Sequence, residues 1–254
     1  MRKILRALEL DRSIIMEGQP GVGKTSLIEK LAQLLGKTFY RVNLSEQTDL
    51  IDLLGSDVPV GNSSLFEWAD GLLLRAMKEG AWFMLDELNL ASQSVLEGLN
   101  SILDHRGSIY ISELDKVVTK HPNFRLFGSQ NPMTMGAGRK GLPHSFLSRF
   151  SRIWLEVLPD KSLKGIIGGL YGLYGEEKTG RANLEKRMLV EFFFEVKKVI
   201  ESKCGVVWEF NLRDLHRIFE YLMVKEQSLS DETNSDEIFS KDIDYICDII
   251  VFKR

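Results

Sequence analysis

The stretch Gly18-Gln19-Pro20-Gly21-Val22-Gly23-Lys24-Thr25-Ser26 limits what this chain can fold into more than any other. It fits the pattern GxxxxGK[ST], which has a defined mechanical use only after a strand and before a helix. Both flanks are present. Ser13–Glu17 is a short apolar strand candidate, and Thr25–Leu35 follows a helical period. Glycines let the backbone curl until successive N–H groups face phosphate oxygens, and the helix N-terminus adds favourable partial charge. Lys24 supplies a mobile cation for β- and γ-phosphates, and the Thr25 hydroxyl is a ligand for Mg²⁺.

The rest of the first 158 residues supplies the sheet such a loop needs. Strand candidates Phe39–Asn43, Ala81–Leu85, Arg125–Ser129 and Ile153–Val157 alternate with helices around Asp70–Lys78 and Ser92–Asp104, the signature of a parallel sheet covered on both faces. β-Branched residues at Ser108–Ile111 and Lys116–Thr119 flank a polar turn and predict an inserted hairpin. Met1–Leu10 reads as an amphipathic helix leading into the first strand and lacks a signal-peptide core. Leu158-Pro159-Asp160 marks a boundary, since proline disfavours helix in the residue before it. Beyond it the pattern is helical: Ser162–Tyr174, Asn183–Ser202 and Leu212–Lys225. The predicted fold class is α/β, a P-loop NTPase parallel sheet sandwiched by helices over residues 1–158, followed by a small all-helical lid domain over 159–254.

Composition restricts the function classes. With 44% hydrophobic and 27% charged residues, the chain can bury a real core. A net charge of −3 gives no overall attraction to nucleic acid or an anionic membrane. The C-terminal stretch Glu226–Asp248 carries eight acids against the single base Lys241, and reads as a solvated connection before a terminal helix. Cys204 and Cys247 match no metal spacing, which fits a reduced compartment. The uncharged run Gly165–Gly175 is short and holds five glycines, so no membrane span is expected.

Further residues extend the phosphate-loop chemistry. Trp82-Phe-Met-Leu-Asp86-Glu87 is an apolar strand ending in two acids, which a parallel sheet places at the carboxyl edge where ligands bind. Asp86 there can hold Mg²⁺ through its water shell, and Glu87 can orient and deprotonate the attacking water. Asn131, closing Phe127-Gly-Ser-Gln-Asn131-Pro132, offers a neutral donor and acceptor to the γ-phosphate and the lytic water. Arg149, at the end of Ser145-Phe-Leu-Ser-Arg149, is placed to project to an edge and act in trans on a neighbour's phosphoryl group. Arg139 and Arg152 compete for that role, Arg139 from the basic loop Gly136-Ala-Gly-Arg-Lys-Gly141. In Glu209-Phe-Asn-Leu-Arg213, Asn211 is a natural N-cap, which puts Arg213 in a first helical turn where it can report on the phosphates.

Phosphate loop, Asp86-Glu87, Asn131, Arg149 and Arg213 stand in the order of AAA+ ATPases, and the chain resembles that family. The hairpin before the Asn131 strand resembles the insertion of the branch holding MoxR-type ATPases, dynein and the midasin family. Asn43–Leu50, Gly55–Pro59, Asp86–Asn100, Leu103–Gly107, His121–Leu126 and Gly138–Pro143 resemble midasin segments in particular. The likeness is dense over about residues 10–158 and thin in the lid. It implies an ATPase using ATP and Mg²⁺, working beside neighbouring AAA+ modules in a six-module ring. It further implies a nuclear motor that strips WD-repeat assembly factors from pre-ribosomal large-subunit particles through other parts of a much longer chain. Nothing here resembles the adhesion domain that grips those factors. Two other readings stay open: a MoxR-type chaperone or chelatase subunit, cytoplasmic, and a structural ring module that binds ATP with little turnover. DNA translocation is a weaker reading, because the hairpin near Glu113–Lys120 has mixed charge and no aromatic series, and no direct sequence-specific nucleic-acid binding is expected.

Overall fold

The computed structural model describes residues 2–59, 66–132, 141–171, 181–203 and 211–228. The chain divides into two compact units, Met1–Glu156 and Val157–Arg254.

In the first unit the described elements run α1 (Arg2–Leu8), β1 (Ser13–Glu17), α2 (Lys24–Leu34), β2 (Phe39–Asn43), α3 (Leu50–Leu54), β3 (Gly55–Pro59), β4 (Phe66–Asp70), α4 (Leu72–Glu79), β5 (Trp82–Asp86), α5 (Gln93–Leu103), β6 (Ser108–Ile111), β7 (Lys116–Thr119), β8 (Arg125–Gln130), α6 (His144–Leu147) and β9 (Phe150–Trp154). Five strands form one parallel sheet in the order β2-β5-β8-β1-β9. Strand side chains alternate between faces. Ile14, Met16, Trp82, Met84, Phe127 and Ile153 therefore pack with Ile4 of α1 and with Ile28 and Leu31 of α2. Ile15, Phe83, Leu85 and Leu126 pack on the opposite face with Leu73 and Met77 of α4 and Val95 and Leu99 of α5. Burial on both faces explains why β5, buried throughout, reads as a continuous apolar run and not as an alternation.

The inserted hairpin is present where the sequence placed it, with Ser108↔Thr119 and Ile111↔Lys116 as its end pairs. Two expectations need correction. The last strand is Phe150–Trp154 rather than Ile153–Val157, because Ser13 pairs with Phe150 and Glu17 with Trp154, burying Phe150 and Ile153. The helix expected around Asp70–Lys78 does not begin at Asp70, which is the last residue of the strand Phe66–Asp70. Residues 66–70 pair antiparallel with β3 as a second hairpin, and α4 starts only after the N-cap Gly71. A Cβ at Gly71 would collide with the backbone around Leu53 and Gly55, so the crossing of the two strand ends requires glycine there.

The second unit contains α7 (Asp160–Tyr171), α8 (Arg181–Lys203) and α9 (Leu212–Ser228). Leu163 and Ile167 of α7, Phe193 and Phe194 of α8, and Leu215, Ile218 and Phe219 of α9 form its core. The Tyr171 ring stacks on Phe219 with centroids 4.5 Å apart. Lys197 Nζ pairs with Asp160 at 2.6 Å, tying α8 to the start of α7. The acidic stretch lies beyond residue 228 for all but its first residues, and with both cysteines falls outside the described residues.

Candidate nucleotide site

Strand order brings the site together. β5 and β1 both flank β8, so the ends of all three strands open on the same edge of the sheet. Gly18 through Gly23 join β1 to α2. Gly21 and Gly23 have φ of 75° and 84°, the left-handed region that glycine adopts without penalty. Gly18 is packed against the chain following β9: a Cβ there would stand 2.6 Å from the Leu155 carbonyl oxygen. Gln19, Pro20 and Val22 complete the loop at half-buried positions or close to them, and Ser26 sits exposed in the first turn of α2.

Lys24 opens α2 and is buried. Its Nζ donates to the Gly18 carbonyl at 2.8 Å, to the Gln19 carbonyl at 2.9 Å and to Asn131 Oδ1 at 2.8 Å. The loop thus folds around its own cation. Thr25 Oγ1 donates to both Asp86 oxygens, at 2.9 and 3.0 Å. Asn131 stands directly after β8 and has two opposite tasks. Its Oδ1 accepts from Lys24, while its Nδ2 donates to Glu87 Oε1 at 2.6 Å. Glu87 has φ 58° and ψ 43°, a left-handed conformation that costs a non-glycine residue about 1–2 kcal/mol. Packing holds it: Leu88 next to it is fully buried, and a Cβ at Gly128 would overlap the Leu88 Cδ1.

Lys24, Thr25, Asp86, Glu87 and Asn131 therefore converge. Three more residues belong to this cluster that sequence reading did not single out. Arg41 of β2 places Nε 2.6 Å from Asp86 Oδ2. Ser129 Oγ donates to Asp86 Oδ1 at 2.6 Å. Asn89 Nδ2 donates to the Asn131 carbonyl at 3.1 Å, fixing the turn that carries Asn131. The available signals were a serine in the buried run of β8 and an arginine between Tyr40 and Val42 of β2.

Arg149 and Arg152 make other pairings in the first unit. Arg149 follows α6 and pairs with Asp104, the residue closing α5, with its side chain 31% exposed. Arg152 pairs with Glu17 through two bonds of 2.8 and 3.1 Å, and that partnership holds its guanidinium above the ordinary arginine value. Arg139 falls outside the described residues. Arg213 is exposed in the first turn of α9, in the second unit. Its backbone N–H donates to Asn211 Oδ1 at 2.9 Å, and the Asn211 N–H donates to Asp214 at 3.2 Å, so the expected N-cap forms as a reciprocal box.

The donor set suits magnesium. Among the described residues no group of three or more His, Cys, Asp or Glu side chains is arranged to enclose a metal. One carboxylate and one hydroxyl at a phosphate-binding loop is what a small hard cation needs when it keeps waters and takes phosphate oxygens as ligands. No helix among the described residues is long and apolar enough to cross a membrane.

Residues 13–150 match the AAA domain of the dynein-related subfamily. The chain is 48% identical to the midasin of Dictyostelium discoideum over 236 residues, covering 90% of the chain, and 46% identical to that of Giardia intestinalis over 229 residues, covering 87%. It spans about 4% of the length of either. An uncharacterized protein of Staphylococcus aureus (strain USA300) is 29% identical over 67% of this chain and 65% of that protein. A solved structure of a candidate ATPase from Cytophaga hutchinsonii superposes with a TM-score of 0.52 at 22% identity, over 66% of this chain and 48% of that one, a likeness in fold alone. The chain belongs to the dynein-related subfamily of AAA domains, as a single AAA module of the midasin type.

Proposed function

We propose that this module binds ATP with Mg²⁺ and hydrolyses it as one unit of a midasin-like motor acting on pre-ribosomal large-subunit particles in the nucleus. The observation that carries the catalytic part is the double engagement of Asn131, which ties the phosphate-loop cation to the acid at the strand end. Lys24 and the loop N–H groups bind the phosphates, while Thr25 and Asp86 hold the metal, Asp86 through its water shell. Bound Mg²⁺ neutralises charge on the phosphate oxygens. Glu87 accepts a proton from the attacking water, and Asn131 fixes the direction in which that carboxylate points. Arg149 serves a neighbouring module's phosphates, and Arg213 senses the γ-phosphate from the helical unit. Release of WD-repeat assembly factors is work for the longer chain, of which this module would be one of six in a ring.

Binding and turnover separate by substitution. Purified protein should bind ATP only with Mg²⁺ present, and Lys24→Ala should abolish that affinity. Glu87→Gln should keep the affinity and lower phosphate release by about 10²–10⁴-fold, the usual contribution of a general base. Specific activity should rise with protein concentration and cease to do so in Arg149→Ala, if sites are completed between modules. Magnesium-independent binding, or affinity untouched by Lys24→Ala, refutes the reading.

A further inference from the structure

The Asp86 carboxylate already has a full complement of partners. Its side chain is only 7% exposed, Thr25 and Ser129 hydroxyls donate to Oδ1, and Arg41 Nε lies 2.6 Å from Oδ2. The strand register puts the arginine there. Asn43 pairs with Asp86 and Arg41 with Met84, so Arg41 and Asp86 face the same side of the sheet, the side that carries α2.

We infer that Arg41 is a resident counter-cation that competes with magnesium for Asp86 and so sets the metal affinity of the site. The inference rests on the reading of Asp86 as the metal-supporting carboxylate. A buried carboxylate without a compensating charge is costly. Hydroxyl donors turn to serve a new neighbour, whereas a guanidinium keeps its charge at every accessible pH and repels an arriving divalent ion. Arg41 can yield, because its own side chain is 49% exposed and its head can swing into water. One cation thus stands in for another beside the same carboxylate, and neither the metal-free nor the metal-loaded site carries a bare buried charge. By linkage, whatever Mg²⁺ does to the arginine pair, the pair does equally to Mg²⁺.

Two measurements on the whole chain test this: the Mg²⁺ midpoint for binding a fluorescent ADP analogue, and the melting temperature in chelator without nucleotide. Arg41→Gln should tighten the Mg²⁺ midpoint about five- to tenfold, the lower range of such couplings. The same variant should melt below the parent in chelator and recover when Mg²⁺ and ADP are added. Arg41→Lys, which keeps a charge but loses the planar fork, should fall between. In an Asp86→Asn background the Arg41→Gln effect on the midpoint should vanish. A midpoint that is unchanged or weaker in Arg41→Gln, while the parent still requires Mg²⁺, overturns the counter-cation role alone. So does an Arg41→Gln effect that persists without Asp86. No Mg²⁺ requirement in the parent overturns both this inference and the reading beneath it.

Discussion

Replacing Asn131 by aspartate turns one end of its amide from donor to repellent while leaving the shape of the side chain unchanged. Nδ2 now donates to Glu87 Oε1 at 2.6 Å, and in the variant two carboxylate oxygens would meet across that distance. At an effective dielectric of 20, two unit charges that close repel by roughly 6 kcal/mol. Taking up one proton at pH 7, from an ordinary carboxyl value, costs about 4 kcal/mol and is the cheaper escape. On the other side, the bond from Lys24 at 2.8 Å becomes a full ion pair and returns about 1–3 kcal/mol. The variant should lose about 1–3 kcal/mol at pH 7, a fall of roughly 5 °C in melting temperature for a chain of this size. The sign with pH follows from proton counting. The folded variant binds a proton that the unfolded chain releases at pH 7, so its stability rises as pH falls from 7 towards 5. Calorimetric melts at pH 5, 6 and 7, with Asn131→Ala as the comparison, read this directly. Asn131→Ala loses both bonds without repulsion, and its deficit should be flat over that range. An aspartate variant as stable as the parent at pH 7, or one with no pH dependence beyond that of alanine, would show that Asn131 and Glu87 are not coupled.

Two other outcomes are expected. Gly128→Ala should destabilise by about 1–3 kcal/mol, the usual penalty of overpacking, because its Cβ would overlap the fully buried Leu88; equilibrium denaturation measures it, and a neutral result would mean that Leu88 can move. Asp70 on β4 is pushed up by partial burial but pulled down further by Lys78 at 2.5 Å, Trp68 Nε1 at 2.9 Å and nearby Arg75, leaving its carboxyl below the ordinary range. A group lowered in the folded state contributes above its unfolded value, near 4, and loses that contribution as pH falls through the folded one. Asp70→Asn should therefore remove under about 1 kcal/mol at neutral pH, the size of a solvent-screened pair, and nothing at the acid end. A deficit that grows on acidification would reverse the assignment.

The parts of the site that could be read from the chain are those encoded in one continuous segment. The phosphate loop, the acids ending β5 and the asparagine after β8 each announce themselves locally, and each occupies the strand edge the α/β pattern requires. Arg41 and Ser129 were hidden because their meaning comes from register between strands far apart in sequence. Nothing local says that β2 and β8 lie on either side of β5, although both residues break an apolar run. The β3–β4 hairpin was missed for a different reason. Most of its side chains are exposed, and beyond Phe66 and Trp68 no run of alternating apolar residues marks it. The last strand was placed three residues late because Ile153–Val157 is the more apolar-looking run, whereas pairing with β1 selects Phe150–Trp154.

The left-handed turn at Glu87 has a consequence for how this protein should fail. An isolated peptide spanning β5 and its two acids would relax to an ordinary backbone, since no local preference keeps a glutamate there. The direction of that carboxylate is thus a property of the assembled interior, enforced by Leu88 beneath it and by the Asn131 amide across from it. Any loosening that lets β8 and the turn after β5 part by a fraction of an ångström disarms the acid while the sheet is still intact. In the proposed mechanism, water activation should therefore disappear ahead of nucleotide affinity when the protein is gently warmed or treated with dilute denaturant.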